Sequence, residues 1–157
     1  MARAKMQSWC AYQERSQFEA INKLNQFGFE EEIAANILAD LIADNFLNEE
    51  RFANAFVRGK FRIKHWGRNK IRIELRKQRV PEGLIKQALQ EIEGNEYTLV
   101  IKKELAKKSK QSKQSHPSKK YFALLQYMVS RGFEADIVKD ELKELQITDD
   151  NEFGFEE

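Results

Sequence analysis

Sliding the sequence along itself by 51 residues, and then by a further 53, brings six apolar columns into register. They are Leu24/Leu75/Met128, Phe29/Val80/Phe133, Ile33/Leu84/Ile137, Ala34/Ile85/Val138, Leu38/Leu89/Leu142 and Leu41/Ile92/Leu145. A period of this length marks an array of small units, none of which can bury its apolar face alone. Helical periodicity by itself would align some of these columns, so the turns carry more weight. Gly28 and Gly132 fall between two helical stretches in the first and third copies, where a left-handed residue normally ends a helix. The second copy has Arg79 at that place and then Pro81, expected in the first turn of the next helix.

The stretches themselves read as helix. IAANILADLI (33–42), LIKQALQEI (84–92) and IVKDELKEL (137–145) carry apolar residues at three- and four-residue spacing. Each copy has a further helix upstream: around residues 4–15, after Asn48 as a candidate N-cap, and through EYTLVIKKELAKKS. Ser16 followed by Glu19 makes a capping box. The expected fold is all-α: three tandem three-helix modules at 1–48, 49–94 and 95–147 in an elongated, curved body. SKQSKQSHPSKK (109–120) is expected to be a mobile loop inside the third module. TDDNEFGFEE (148–157) is expected to be a frayed acidic tail.

Several classes of function are disfavoured at once. One cysteine and two histidines supply neither a disulfide nor a zinc site. GxxxxGK, GxSxG, HExxH and CxxC are all missing from the sequence. The acidic residues lie on helix faces without a recurring pair for general acid and base. Cys10 reads as a buried helix cysteine. A non-enzyme without metal, cofactor or catalytic residues is expected. With no long apolar run and no secretory signal, a cytoplasmic location is expected as well.

The net charge of +2 hides a division. Residues 1–50 hold 4 Lys/Arg against 9 Asp/Glu, and residues 51–90 hold 12 against 2. Residues 91–120 hold 8 against 4, and residues 121–157 hold 3 against 10. A middle of net +10 between acidic ends points to a polyanion partner or to contacts with the chain's own ends. At 100° per residue, Arg51, Arg58, Arg62 and His65 share one arc of a helix, with Phe52, Phe56 and Ile63 on an apolar arc. Lys60 and Lys64 fall on a third side. Arg72, Arg76 and Arg79 line a face of the next helix, and the connector adds Trp66, Arg68 and Lys70. Guanidinium groups at one-turn spacing suit a row of phosphates. Blander roles compete: arginine stems covering apolar surface, ion pairs with the acidic ends, and Trp66 as core rather than as a stacking platform. The first module superficially resembles a winged-helix fragment, but it is acidic, which argues against a sequence reader there.

FLNEERFANAFVRGKFRIKHWGRNKIRIELRKQRVPEGLIKQALQEI resembles the central signature of the RecX family of bacterial recombination regulators. The matching features are an acidic residue before Arg-Phe-Ala, a basic helix, Gly at the turn, and a second helix ending in Ala-Leu. WCAYQERS…LNQFGF…ILADLI resembles the family's opening module, and SRGFEADIVKDELKEL matches more weakly. The resemblance covers about residues 5–146. Arg79 stands where the family commonly has glycine. What the resemblance implies is a modulator of RecA that binds the groove of the RecA–single-stranded-DNA filament and typically inhibits its ATPase and strand exchange, with single-stranded DNA contacted directly, as some members of the family do, or through RecA. Carried over by position, the candidate contact residues are Arg51, Arg58, Arg62, Lys64, Trp66, Arg68, Lys70, Arg72 and Arg76. The alternatives are a general single-stranded nucleic-acid-binding module without a recombinase partner and a plain interaction scaffold. A monomer is expected, because no module shows a spare apolar stripe.

Overall fold

A computed structural model describes residues 1–147; the acidic tail at 148–157 lies outside the described residues. Among the described residues the chain forms nine α-helices and no strand. They are α1 Ala2–Tyr12, α2 Gln17–Gln26, α3 Glu31–Ala43, α4 Glu49–Arg62, α5 Arg68–Lys77, α6 Glu82–Gln90, α7 Gly94–Gln111, α8 Pro117–Ser130 and α9 Ala135–Glu144.

The helix boundaries follow the local chemistry. Ser16 accepts from the Glu19 amide at 3.0 Å, and the Glu19 carboxylate reaches back to the Ser16 amide, forming the expected capping box. Asn48 Oδ1 accepts from the Arg51 amide at 2.9 Å and starts α4. Gly28 and Gly132 have φ of 79° and 97°, and Arg79 takes the same left-handed conformation at 58°. Asn45, His65 and Gln146 do likewise after α3, α4 and α9. In each of these non-glycine cases the next amide returns to the helix's last turn, as in Trp66 N–H to Lys60 O at 3.0 Å and Val80 N–H to Leu75 O at 3.2 Å. A β-carbon in this conformation costs about 1–2 kcal/mol. The recovered hydrogen bond and the buried residue that follows, such as Val80, offset that cost.

Two boundaries differ from the expectation. Pro81 sits at the N-cap of α6 rather than inside its first turn. The stretch 109–120 is mostly helical, because α7 continues to Gln111 and Pro117 occupies the first position of α8. Proline's fixed φ suits that position, and its missing N–H is not needed there. Only residues 112–116 connect the two helices.

The chain divides into two compact units, Met1–Gly59 with Ile73–Glu91, and Lys60–Arg72 with Ile92–Glu157. The 49–94 segment is therefore shared between them. The first unit has a core of Met6, Cys10, Ala20, Leu24, Ala34, Ile37, Leu41 and Leu47, edged by Trp9, Phe29, Leu38 and Phe46. Cys10 lies in this core, and desolvation raises its thiol pKa. In the second unit α7, α8 and α9 pack on one another around Ile101, Leu105, Leu124, Met128, Val138 and Leu142. Tyr97 there stacks between Phe61 and Phe133, with ring centroids 5.7 and 5.5 Å away.

The repeat columns do not bury equally. Leu24/Leu75/Met128 and Ala34/Ile85/Val138 are buried in all three copies. Ile33 is exposed and Leu84 and Ile137 are partly buried, so that column lies at the rim of the packing. In the last column Leu41 and Ile92 are buried and Leu145 alone is exposed.

Candidate nucleic-acid and protein interface

The basic residues divide according to what holds each of them. In the first unit Arg51 is anchored. Its Nε donates to Glu14 at 2.6 Å, and its Nη2 donates to the carbonyls of Asn45 and Phe46 at 3.0 and 3.4 Å. A guanidinium there ties down the connector between α3 and α4 through its carbonyls and complements the negative end of the α3 dipole. Arg58 and Arg76 are held differently. Arg58 faces Glu91 at 3.8 Å and Arg76 faces Glu82 at 2.5 Å, with both partners of each pair more than half exposed. The carboxylate of Glu82 raises the Arg76 pKa through its hydrogen bond. Arg79, at the left-handed turn, places its guanidinium over the Phe18 ring at 4.5 Å. The expected row of Arg72, Arg76 and Arg79 is thus broken at its last member, because α5 ends at Lys77.

In the second unit the end of α4, the connector and the start of α5 form one corner. Trp66 is half-buried there, with Lys60 Nζ and Lys70 Nζ 4.9 and 4.3 Å from its ring. It is neither fully core nor fully presented. Arg62 is 60% exposed and meets Glu96 at 3.3 Å. Arg72 donates to Asn69 Oδ1 at 2.9 Å. Lys64 is exposed, and its carbonyl accepts from the Arg131 guanidinium. His65 leaves the expected arginine arc because α4 stops at Arg62 and the chain turns left-handed. For the same reason Ile63 is 75% exposed rather than core; Phe52, Ala53, Val57 and Phe61 are the buried residues of α4.

Arg68 belongs with Arg51. Its guanidinium donates to Glu134 at 2.8 Å and lies 3.9 Å from the centre of the Tyr97 ring. The Tyr97 hydroxyl accepts from the Arg68 amide at 3.2 Å and donates to the other oxygen of Glu134. Burial, followed by the Glu134 hydrogen bond, pushes the Tyr97 pKa well above the usual phenol range, so the hydroxyl keeps its proton. On either side of Arg68, Gly67 N–H donates to Arg131 O at 2.8 Å and Asn69 N–H donates to Gly132 O at 2.9 Å. A β-carbon on Gly67 would overlap the main chain of Gly132 and Phe133. The first amides of α5 are therefore capped by the α8–α9 turn and by a tyrosine of α7.

Exposed ion pairs are worth about 0–1 kcal/mol and can be exchanged for a phosphate at little cost. Breaking a pair held in a partly buried hydrogen-bonded network costs several times more, about 3–5 kcal/mol where burial is complete. Arg58, Arg62 and Arg76 fall in the first class, and Arg51 and Arg68 in the second. Sequence reading missed this division, together with Tyr97 and Glu134, and it placed Lys60 on a helix face without its contact to Trp66.

The profile of the RecX second three-helix domain matches residues 48–89. The regulatory protein RecX of Prosthecochloris aestuarii is 34% identical over 134 residues, which span 84% of this chain and 85% of that protein. The chain belongs to the RecX family. The RecX protein of Clostridium botulinum (strain Alaska E43) is 32% identical over 126 residues, but the match spans only 58% of its length. Two crystal structures of RecX proteins share the fold. One, from Lactobacillus salivarius, has a TM-score of 0.83 at 20% identity, covering 93% of this chain and 95% of that one. The other has a TM-score of 0.78 at 23% identity, covering 88% and 71%. RecX-family membership makes this a regulatory protein with an all-helical fold. Among the described residues no helix is long and apolar enough to cross a membrane.

Proposed function

We propose that the chain binds the RecA–single-stranded-DNA filament and inhibits its ATPase and recombinase activity, thereby regulating DNA repair. It acts in the cytoplasm as a monomer, by binding and not by catalysis. Family membership supports the choice of partner. The observation that carries the reading is the exposure of Arg58, Arg62 and Arg76, each held only by a solvent-facing carboxylate that a phosphate or a protein carboxylate can replace. Lys64, Lys70 and Arg72 add cations, and Trp66, flanked by two ammonium groups, adds an aromatic face. Arg51 and Arg68 then serve as positioning residues: they hold the start of α4 and of α5 in place.

Capture of RecA on the immobilised chain, with and without single-stranded DNA and a non-hydrolysable nucleotide, tests the reading. Retention of RecA that rises when the filament forms supports it. Equal retention in both states would assign the chain to free RecA, and no retention alongside tight DNA capture would leave a nucleic-acid-binding module without a recombinase partner. Either result overturns the proposal.

A further inference from the structure

The strongest concentration of unpaired positive charge in the described second unit lies outside the residues considered above. Between 102 and 120 the sequence carries eight lysines and one acidic residue, Glu104, with no arginine. The structure gathers most of them at one end of a helical hairpin. Lys107 and Lys110 lie in the last turns of α7, Lys113 in the connector 112–116, and Lys119 in the first turn of α8. All four are exposed, and none has an ion-pair partner among the described residues. Lys102 and Lys108 are held in place by contrast: Lys102 meets Glu141 and Glu144 at 3.7 and 3.1 Å, and Lys108 lies 4.5 Å over Tyr127.

Stability does not account for this pattern. Cations in the last turn of α7 complement its dipole, but Lys119 and Lys120 stand at the positive end of α8, which has no acidic residue in its first turn. Helix α8 therefore begins with its charges of the unfavourable sign, beside further lysines that repel them. An anion bound there relieves both penalties. The same end carries an aromatic surface. Phe122 is 51% exposed, three residues from Lys119 on the same face of α8, and meets Tyr121 edge-on at 5.2 Å. A cation and an exposed ring one turn apart match a phosphate and its base, with no means of reading which base it is.

The geometry points to a second polyanion site at the α7–α8 end of the second unit, which binds single-stranded nucleic acid through Lys107, Lys110, Lys113 and Lys119, with Phe122 as the stacking face. It binds bare strand without RecA, so it goes beyond the function proposed above and does not depend on it. Lysines make point-charge contacts with phosphate and lack the bidentate geometry of arginine, so the site is tolerant of sequence and strongly dependent on salt.

The test is fluorescence anisotropy of a short labelled oligothymidylate titrated with the full chain, without RecA, across a range of salt. Three variants are compared: Lys107→Gln/Lys110→Gln/Lys119→Gln, Phe122→Ala, and Arg58→Gln/Arg62→Gln. All these side chains face solvent, and unchanged circular dichroism confirms the fold. The lysine variant should bind at least ten-fold more weakly, and the slope of log affinity against log salt should flatten by about 2, at about 0.7 for each phosphate no longer neutralised. Phe122→Ala should lose roughly ten-fold in affinity with the slope unchanged. The arginine variant should leave a lysine-dependent component in place. An unchanged slope in the lysine variant overturns the site. Full affinity in Phe122→Ala, with polyglutamate competing as well as the oligonucleotide, would assign the surface to an acidic protein instead and overturn the nucleic-acid reading.

Discussion

Replacing Gly67 with alanine should be among the most damaging single-methyl additions in this chain. Gly67 has no unusual φ, and its requirement is spatial. Its amide is 2.8 Å from Arg131 O, and Asn69, two residues on, donates to Gly132 O at 2.9 Å. The added methyl would overlap the backbone of Gly132 and Phe133, which cannot swing aside as a side chain could. The two turns must separate, which weakens both hydrogen bonds and lifts Phe133 from the Tyr97 ring. Two backbone bonds at about 1 kcal/mol each, plus about 1–3 kcal/mol for forced packing, give a loss of roughly 3–5 kcal/mol. Urea unfolding followed by circular dichroism measures it, and the melting temperature should fall by roughly 10 °C for a chain of this size. Gly59→Ala is the matched control. It lies inside α4 with open space where the methyl would go, and alanine should stabilise it by about 0.5–1 kcal/mol. A Gly67→Ala midpoint equal to wild type would refute the close docking of the two turns.

Other perturbations test other parts of the account. Tyr97→Phe removes the hydroxyl between the Arg68 amide and Glu134 and should cost about 1–3 kcal/mol in urea unfolding. Burial raises the Glu49 pKa above its unfolded value, so its contribution to stability is greatest at low pH and is lost as pH rises through the folded-state value. Glu49→Gln should therefore gain stability relative to wild type across that rise, as read from melting temperatures at a series of pH values. Cys10 is buried with its thiol pKa raised by desolvation, so a thiol reagent should label it slowly in the native chain and rapidly in urea. Deleting residues 148–157 removes five acidic residues and no basic one, which takes the net charge from +2 to +7. Oligonucleotide affinity should rise at low salt, and the gain should shrink as salt screens it.

Local chemistry was legible in the sequence. Ser16 with Glu19, Asn48, Gly28, Gly132 and the odd Arg79 each specify a helix end through neighbours a few residues away, and the structure places each as the local rule requires. The site was legible only as a set of charges. Whether an arginine is available depends on partners distant in sequence: Arg51 and Glu14 are 37 residues apart, and Arg68 and Glu134 are 66 apart. A helical projection also assumes that the helix continues, and α4 does not; His65 and Ile63 therefore left the faces assigned to them. The lysines of 109–120 read as loop because Ser, Lys and Gln are common in mobile segments, although lysine and glutamine are also good helix formers.

The central claim is that the exposed, weakly paired arginines engage a RecA filament while the anchored ones hold the scaffold. ATP hydrolysis by RecA on single-stranded DNA measures this most directly, with the wild-type chain and the Arg58→Glu/Arg62→Glu variant added in parallel. The account predicts that the wild type slows hydrolysis and that the variant, equally helical, does not. Hydrolysis unaffected by a several-fold excess of wild type, or slowed as much by the variant, would contradict it.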